Sequence, residues 1–337
     1  MIALFHKLYQ QFDEIVYETQ ITYFNPQIKQ FVDIPSEMIV YPWLLVSIVF
    51  VSAFLVIPVL LFVSLYVTTL VMYVYRHRRR LDAKRLIKSK QRWKGLLYVI
   101  VMLWEAHGYF WHSYEVNGFE NIPKEGPALI VYYHGVIPLD HFYLITKILL
   151  YKKRLICSVG DHFLFMIPGS KTLMKELKVL TGPVEECVKL LNDGHLLSIA
   201  PGGCREGLFG DNRYKLMWNN RIGFARVAVA AKVPIIPVFT QNLREAFVAV
   251  KWCRCILRSV YEWTRLPIVP FYGGFPVKLR TYVGKPIPYD PSLTAEELAV
   301  KAQNAVEDLI RKHQKIPGNI WEAFTDRFAH FDKNKSK

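Results

Sequence analysis

A histidine at the end of a short apolar run is the residue best placed to do chemistry in this chain. Residues 128–133 form that run after Gly126 and Pro127, which is the pattern of a buried strand, and His134 follows directly. In open α/β sheets, ligands bind beyond the carboxyl ends of strands. A histidine oriented by a nearby carboxylate, here Asp140, is a general base that can take a proton from a hydroxyl. We therefore predict that His134 and Asp140 are the catalytic residues.

A glycine-rich turn follows a second predicted strand and should lie on the same sheet edge as His134. Gly202 and Gly203 allow a close backbone approach or a positive φ. Arg205 offers a planar fork for a phosphate or a carboxylate, and Glu206 can orient that fork or accept a hydroxyl hydrogen bond. We predict that these four residues bind substrate. The alternative is a tight turn that carries a surface ion pair.

A third piece, residues 232–239, is an apolar run that contains Pro234 and Pro237. Prolines around a short strand make it rigid, so this strand is a candidate wall of the site, with Pro237 binding substrate. An ordinary core strand that begins after a turn explains the same pattern equally well.

Strand-like and helix-like segments alternate from about Gly118 onward, which predicts an α/β fold with a largely parallel sheet flanked by helices. The predicted strands are 128–133, 155–159, 196–200, 235–239 and 279–283, and the predicted helices are 139–150, 184–191 and 222–231. A last helix begins with a capping box at Thr294 and runs to about His313, with an apolar stripe for docking on the sheet.

The composition favours a membrane surface as the partner of this chain. The 337 residues carry a formal net charge of +15 and are 52% hydrophobic, a combination that suits anionic lipid. Nucleic acid is the other usual partner of a basic chain, but no nucleic-acid motif is present, so none is expected. The five cysteines form no CxxC pair, which indicates reduced thiols and no metal site.

An uncharged stretch near the amino terminus is long enough to cross a bilayer. We predict a membrane-embedded helical segment over 42–75, either one tilted or kinked helix or a hairpin that bends at Pro58. A basic cluster follows it, so the positive-inside rule places the following residues in the cytosol. The predicted parts are an N-terminal segment (1–41), the membrane segment (42–75), basic juxtamembrane and interfacial helices (76–117), the main domain (118–320) and a C-terminal tail (321–337).

Two further stretches are candidates for contact with lipid. Residues 96–111 are apolar and aromatic but include charged and histidine residues, which favours an interfacial or domain-packed helix over a second span. Aromatic and basic residues alternate between Phe247 and Tyr272, and this pattern fits a membrane-interface helix or an amphipathic surface helix. Lys333 and Lys335 resemble a dilysine signal for the endoplasmic reticulum, whereas the sequon at Asn334 would need the opposite side of the membrane.

Taken together, the pieces around His134, Gly202 and Pro237 resemble the glycerolipid acyltransferase superfamily. The turn Gly202–Glu206 is closer to the branch that includes diacylglycerol acyltransferases and plant phytyl ester synthases. The family separates its histidine and aspartate by four residues, whereas five separate His134 from Asp140 here. Such an offset does not place both residues on one helical face, so the pair requires an irregular turn through Gly135 and Pro138.

The resemblance implies a membrane-bound acyltransferase of the endoplasmic reticulum whose catalytic domain faces the cytosol. His134, oriented by Asp140, would activate the hydroxyl of a mono- or diacylglycerol for attack on the acyl group. The resemblance implies no metal and no cofactor beyond the acyl donor, which is a co-substrate, either acyl-CoA or an acyl lipid. Arg205, Lys171 and Arg221 are candidates to hold the phosphates of such a donor. The oligomeric state stays open.

Three rival functions also fit parts of the sequence. A serine hydrolase is one, but no serine has glycines two positions before and two after it. An acyltransferase for a lysophospholipid or a fatty alcohol is the second. The third is a membrane lipid-binding protein that keeps the fold without catalysing a reaction.

Overall fold

A seven-stranded sheet forms the centre of the protein. The computed structural model describes residues 101–166, 171, 174–175 and 177–328. The strands of the sheet are β1 (Glu115–Asn117), β2 (Ala128–Tyr132), β3 (Ile156–Val159), β4 (Val179–Leu180), β5 (Leu196–Ile199), β6 (Ile235–Gln241) and β9 (Arg280–Val283). Two further strands, β7 (Phe247–Ala249) and β8 (Phe271–Gly273), pair antiparallel in a separate two-stranded sheet.

The spatial order of the sheet is β1-β9-β6-β2-β5-β3-β4. The pairs of β2 with β5 and with β6, of β3 with β4 and with β5, and of β1 with β9 are parallel, whereas β6 pairs antiparallel with β9. The predicted α/β fold with a largely parallel sheet is therefore confirmed.

Helices connect and cover the strands, and they are numbered here in chain order. They are α1 (101–112), α2 (Leu139–Lys147), α3 (Phe163–Met166), α4 (Val184–Asn192), α5 (Gly203–Phe209), α6 (Gly223–Ala231), α7 (Leu243–Ala246), α8 (Arg254–Thr264), α9 (Ala295–His313) and α10 (Ile320–Thr325). A π-helical turn, Ile148–Lys152, extends α2, so the predicted helix 139–150 is found in two parts. The predicted capping box is present, because Thr294 and Glu297 exchange side-chain-to-backbone hydrogen bonds.

Alternate residues of β2 divide the core into two layers. Leu129, Val131 and Tyr133 point to the layer that α4, α6 and α9 cover. Ala128, Ile130 and Tyr132 point to the opposite layer, which α2 covers through Leu144. Every residue of β2 is buried, which is the condition of a central parallel strand and explains why its sequence is a continuous apolar run.

The predicted domain-packed helix before the sheet is present as α1. Its Trp104 ring stacks on Phe142 of α2 at 5.6 Å between ring centroids, and His107 Nδ1 lies 2.7 Å from the Tyr143 hydroxyl. Met102, Leu103, Tyr109 and Phe110 of α1 are nevertheless exposed. Within the described part of the chain, this helix therefore packs on the domain with one face and exposes apolar side chains on the other.

Several sequence predictions concern residues outside those that the structure describes. They are the membrane segment 42–75, the basic cluster after it and the signals at Lys333 to Lys335. Among the described residues, no helix has both the length and the apolar character needed to cross a bilayer.

The docking of α9 on the sheet gives a test of the core. Leu298 is buried in the layer shared with α6, so Leu298→Ala is expected to lower the free energy of unfolding by about 2–5 kcal/mol, from lost burial and a residual cavity. Denaturant unfolding of the full chain measures this. Val300→Ala is the control on the same helix, because Val300 is 57% exposed. Equal unfolding midpoints for the two variants would contradict the packing described here.

Candidate active site

The carboxyl ends of three adjacent strands bring the predicted site residues together. Because β5, β2 and β6 are neighbours and parallel, the segments that follow them meet at one edge of the sheet. His134 follows β2, the Gly202–Glu206 turn follows β5, and Asn242 and α7 follow β6. The sequence located the first two correctly.

The chain between His134 and Asp140 is an irregular turn. The Leu139 N–H donates to Ile137 O at 2.9 Å, and the intervening Pro138 has φ −81° and ψ 55°, which is the geometry of an inverse γ-turn. Helix α2 begins immediately after this turn, so Asp140 lies in its first turn. The irregular turn required by the spacing of His134 and Asp140 is therefore present.

His134 is half-buried, and its backbone neighbour fixes its tautomer. Nδ1 lies 2.6 Å from Gly135 O, and since a carbonyl can only accept, Nδ1 carries the proton. Burial lowers the pKa of His134 to about 4, although the hydrogen bond to Gly135 works in the opposite direction. The ring is thus neutral at neutral pH with its lone pair on Nε2, which is the protonation state that a general base requires.

Asp140 is buried at the start of α2. Burial raises the pKa of Asp140 to about 6, and a hydrogen bond from the Thr240 hydroxyl opposes that shift. Thr240 is the first member of a chain of buried hydroxyls, because its Oγ1 lies 2.8 Å from Thr281 Oγ1, which lies 2.8 Å from the Tyr114 hydroxyl. The other carboxyl oxygen, Oδ1, is buried and has no hydrogen-bond partner among the described residues.

No hydrogen bond joins His134 to Asp140 among the residues that the structure describes. The imidazole Nδ1 contacts Gly135 O, while the Asp140 carboxyl is held by Thr240 on β6. The predicted orientation of His134 by Asp140 therefore stays a prediction. The unpartnered Oδ1 is the feature of this geometry that favours it.

Glu206 points into the protein and holds the His134 turn. Its Oε2 accepts from the backbone N–H of His134 at 3.0 Å, and its Oε1 accepts from that of Met217 at 2.9 Å. Burial raises the pKa of Glu206 to about 7, and these two hydrogen bonds oppose the shift. Glu206 was predicted to bind substrate, but its carboxyl is occupied by backbone groups, so its contacts are those of a residue that positions His134.

Glycines allow the turn after β5 to lie against the His134 turn. Gly203 has φ +51°, and a Cβ on Gly202 would lie 2.4 Å from the Glu206 side chain. A Cβ on Gly207 would lie 2.3 Å from Gly135 O and 2.9 Å from His134 Nδ1. Both features predicted for Gly202 and Gly203, a positive φ and a close approach, are therefore found in this turn.

The remaining predicted residues take up different positions. Arg205 forms an ion pair with Glu262 of α8 at 3.3 Å, and Arg221 donates to the carbonyls of Pro201 and Gly202. Lys171 is exposed. Pro237 lies buried in the middle of β6, opposite Val131 of β2, and so is distant from the carboxyl end of its strand.

Sequence analysis missed Arg244, a buried residue just beyond β6. Its guanidinium donates to the Tyr133 hydroxyl and to the carbonyls of Glu206 and Gly207, and its backbone N–H donates to the Tyr214 hydroxyl. Arg244 thus ties the segments after β2, β5 and β6 together. The sequence carries a signal for this residue, because Arg244 follows a predicted strand as His134 does.

Comparison with known proteins identifies the family. Residues 113–241 match the family model described as "Acyltransferase". A human protein named "DGAT1/2-independent enzyme synthesizing storage lipids" is 50% identical over 274 residues, which cover 81% of this chain and 83% of that protein. The bovine protein of the same name is 49% identical over 283 residues, or 84% of each chain. The chain belongs to the glycerolipid acyltransferase family. It is therefore an acyltransferase, as predicted.

The residues that match the family model, 113–241, include the carboxyl ends of β2, β5 and β6. A crystal structure of a 1-acyl-sn-glycerophosphate acyltransferase, PlsC, from Thermotoga maritima aligns with 73% of this chain and 96% of that chain, at 18% identity and a TM-score of 0.45. Within the chain of 337 residues, Pro201–Gly203 and Gly273–Tyr282 are stretches that resemble transmembrane protein 68, a storage-lipid acyltransferase. Membership in the family implies a lipid acyl donor and a lipid acyl acceptor as its partners.

Proposed function

We propose that this acyltransferase moves a fatty acyl group onto the hydroxyl of a mono- or diacylglycerol to make diacylglycerol or triacylglycerol. The names of the mammalian relatives, which describe synthesis of storage lipids, support this acceptor class. The observation that carries the mechanism is the tautomer of His134, because a neutral ring with its proton on Nδ1 presents a free Nε2 lone pair.

In the proposed mechanism, His134 Nε2 takes the proton of the acceptor hydroxyl as its oxygen attacks the acyl carbonyl. The tetrahedral oxyanion then collapses and expels the thiolate or alkoxide of the donor, which takes the proton back from the imidazolium. Backbone N–H groups near Gly135 are the proposed oxyanion donors, because the Gly203 N–H already donates to Ala200 O. The reaction needs no covalent acyl-enzyme and no metal.

We propose that the His134 ring turns when substrate binds, so that its Nδ1–H leaves Gly135 O and donates to Asp140 Oδ1. Catalytic hydrogen bonds are often long or misaligned in an empty site and form in the substrate complex. A carboxylate partner stabilises the imidazolium and so strengthens a base whose pKa burial has lowered. The proposed roles of the turn residues are to shape the acceptor site at Gly202 and Gly203 and to hold the polar part of the donor at Arg205.

Replacing Thr240 by valine tests the role of Asp140. Loss of the Thr240 hydroxyl removes a donor that favours the carboxylate, so the pKa of Asp140 is expected to rise above its present value of about 6. Because the proposed reaction needs the ionised carboxylate, the acid limb of the pH–rate profile should move to higher pH. Thr240→Ser restores the donor and should restore the profile. Identical profiles for Thr240→Val and the unaltered protein would exclude this role.

We propose further that the protein is anchored in the endoplasmic reticulum membrane by residues 42–75, with the acyltransferase domain in the cytosol. The uncharged stretch and the basic cluster after it support this arrangement. Glycosylation mapping at Asn334 tests the orientation, because a glycan there requires the luminal side and would contradict the proposal.

Expression in cells with little background triacylglycerol synthesis tests the activity. The full chain should raise triacylglycerol in the lipidome, and microsomes should transfer labelled acyl groups to a mono- or diacylglycerol. Parallel assays with acyl-CoA and with an acyl phospholipid identify the donor. Accumulation of a lysophospholipid product or of a fatty alcohol ester would replace the proposed acceptor, and no new ester at all would favour a lipid-binding protein.

A further inference from the structure

Helix α8 has two apolar faces, of which one is covered by other described residues of the chain. The inner face carries Tyr261, which is buried, and Leu257, and both pack against Leu208 and Phe209 of α5. On the outer face, Ile256 (65% exposed), Val260 and Trp263 (88%) have helical spacing and form one apolar stripe along the helix. Trp252 (81% exposed) lies in the turn just before α8, and these four exposed side chains together are called the stripe.

Such a stripe is unusual for a surface in contact with water. Single exposed apolar residues are common, but a continuous apolar stripe with two almost fully exposed tryptophans marks an interaction surface. Tryptophan is enriched where one end of a side chain is apolar and the other is wet, as at a membrane interface. The sequence alone left a membrane-interface helix and a packed surface helix equally open, and within the described part of the chain the stripe is exposed.

The charges of α8 and of the residues next to it favour a lipid surface over a second copy of this chain. Lys251, Arg254, Arg258 and Arg265 lie in or next to α8, and Glu262 is the acidic residue within the helix. A two-fold contact between copies would bring two such positively charged segments together, and like charges oppose association. Anionic phospholipid headgroups pair with such cations while the apolar stripe enters the acyl boundary.

Contacts connect α8 to the candidate active site. The Tyr261 ring lies 5.5 Å from that of Phe209 on α5, and Glu262 pairs with Arg205 on the same helix. Helix α5 also carries Glu206, whose carboxyl accepts from the His134 backbone. A lipid surface at α8 therefore lies beside the segment that positions His134.

We propose that α8 is a membrane-docking helix that inserts its Trp252–Trp263 stripe into an anionic lipid surface and presents bilayer lipid to the His134 site. This inference rests on the proposed function, because it assigns a route for the lipid acceptor. It is independent of the predicted anchor at residues 42–75, since the contact is made by the folded acyltransferase domain.

A fluorescent label on the outer face tests docking without reference to activity. The full chain, with Cys253 and Cys255 replaced by serine, is reconstituted in vesicles of phosphatidylcholine with or without phosphatidylserine. An environment-sensitive fluorophore is attached to Ile256→Cys or, as a control, to Val300→Cys on α9, with the chain lacking both added cysteines as the blank. We expect blue-shifted emission and quenching by brominated lipid at position 256, stronger with phosphatidylserine, and neither at position 300.

Two results from the label would overturn the proposal. Water-like emission at both positions would show that α8 does not meet the bilayer. A blue shift at position 256 that depends on protein concentration and is not quenched by brominated lipid would show a second copy on the stripe instead.

An activity measurement separates this inference from the proposed function. Trp252→Ser with Trp263→Ser should raise the KM for a bilayer-embedded acceptor several-fold with a smaller change in kcat, and should affect a short-chain soluble acceptor less. Val300→Ser is the matched control. Absence of acyl transfer by the unaltered protein would refute the proposed function but leave the label result valid, whereas equal KM values for all variants would refute docking alone.

Discussion

His134→Ala is expected to lower acyl transfer about 10²- to 10⁴-fold while the protein stays folded, since this is the usual contribution of a general base. The alanine removes the Nε2 lone pair, the proposed proton acceptor, but leaves the backbone N–H that Glu206 holds. The side chain is half-buried and its ring lies beside that of Tyr132, which keeps its own core packing, so the free energy of unfolding should change less than for a core truncation. Acyl transfer in microsomes, normalised to protein amount, measures the effect.

His195→Ala is the matched control for this variant. His195 immediately precedes β5, so it lies at the opposite end of that strand from the site. Its replacement should leave acyl transfer near that of the unaltered protein. If His134→Ala retains full activity, the general-base assignment is wrong, and the neutral ring would then serve only to satisfy Gly135 O.

The sequence predicted the central strands well because buried parallel strands have a simple pattern. Strand β2 is a continuous apolar run, and β5 and β6 are mainly apolar. The structure moves the predicted ends of these strands by no more than two residues. The sequence missed β1 and β4 because such short edge strands have no apolar run of their own. It also missed the β7–β8 pair, whose members are separated by the whole of α8.

The direction of side chains at the site was harder to predict than their location. Glu206 sits where the sequence placed it, next to Arg205, but the backbone N–H groups of His134 and Met217 draw its carboxyl inward. These donors are distant in sequence, and no local pattern reveals them. Arg205 turns the opposite way, toward Glu262 of a helix that begins far along the chain.

The same reasoning applies to Asp140. Its spacing from His134 predicted an irregular turn, and that turn is present around Pro138. The hydroxyl chain from Thr240 to Tyr114 crosses from β6 to β9 and to the loop before β1, so only the folded sheet brings it together. Local sequence thus specified the turn, and tertiary contacts specified what the carboxyl binds.

Arg244→Met is expected to destabilise the protein at least as much as the core truncation Leu298→Ala. Removing one partner from a buried, charged hydrogen-bond network typically costs about 3–5 kcal/mol, because the groups left behind stay unsatisfied. Here those groups are the Tyr133 hydroxyl and the carbonyls of Glu206 and Gly207. Methionine has a similar length and fills much of the space, so the loss reports the hydrogen bonds rather than a cavity. Denaturant unfolding of the full chain measures it.

The stability loss of Arg244→Met should be accompanied by a loss of acyl transfer. Arg244 holds the carbonyls of α5, and α5 holds the His134 backbone through Glu206, so loosening the first contact displaces the second. Arg311→Met is the matched control, because the Arg311 side chain is 76% exposed and its ion pair is with Asp308 one turn away on the same helix. Surface pairs of this kind contribute little to stability.

If the two variants unfold at the same denaturant concentration, Arg244 does not join the three strand ends. If Arg244→Met is destabilised but keeps full activity below its unfolding transition, the network supports the fold without positioning His134.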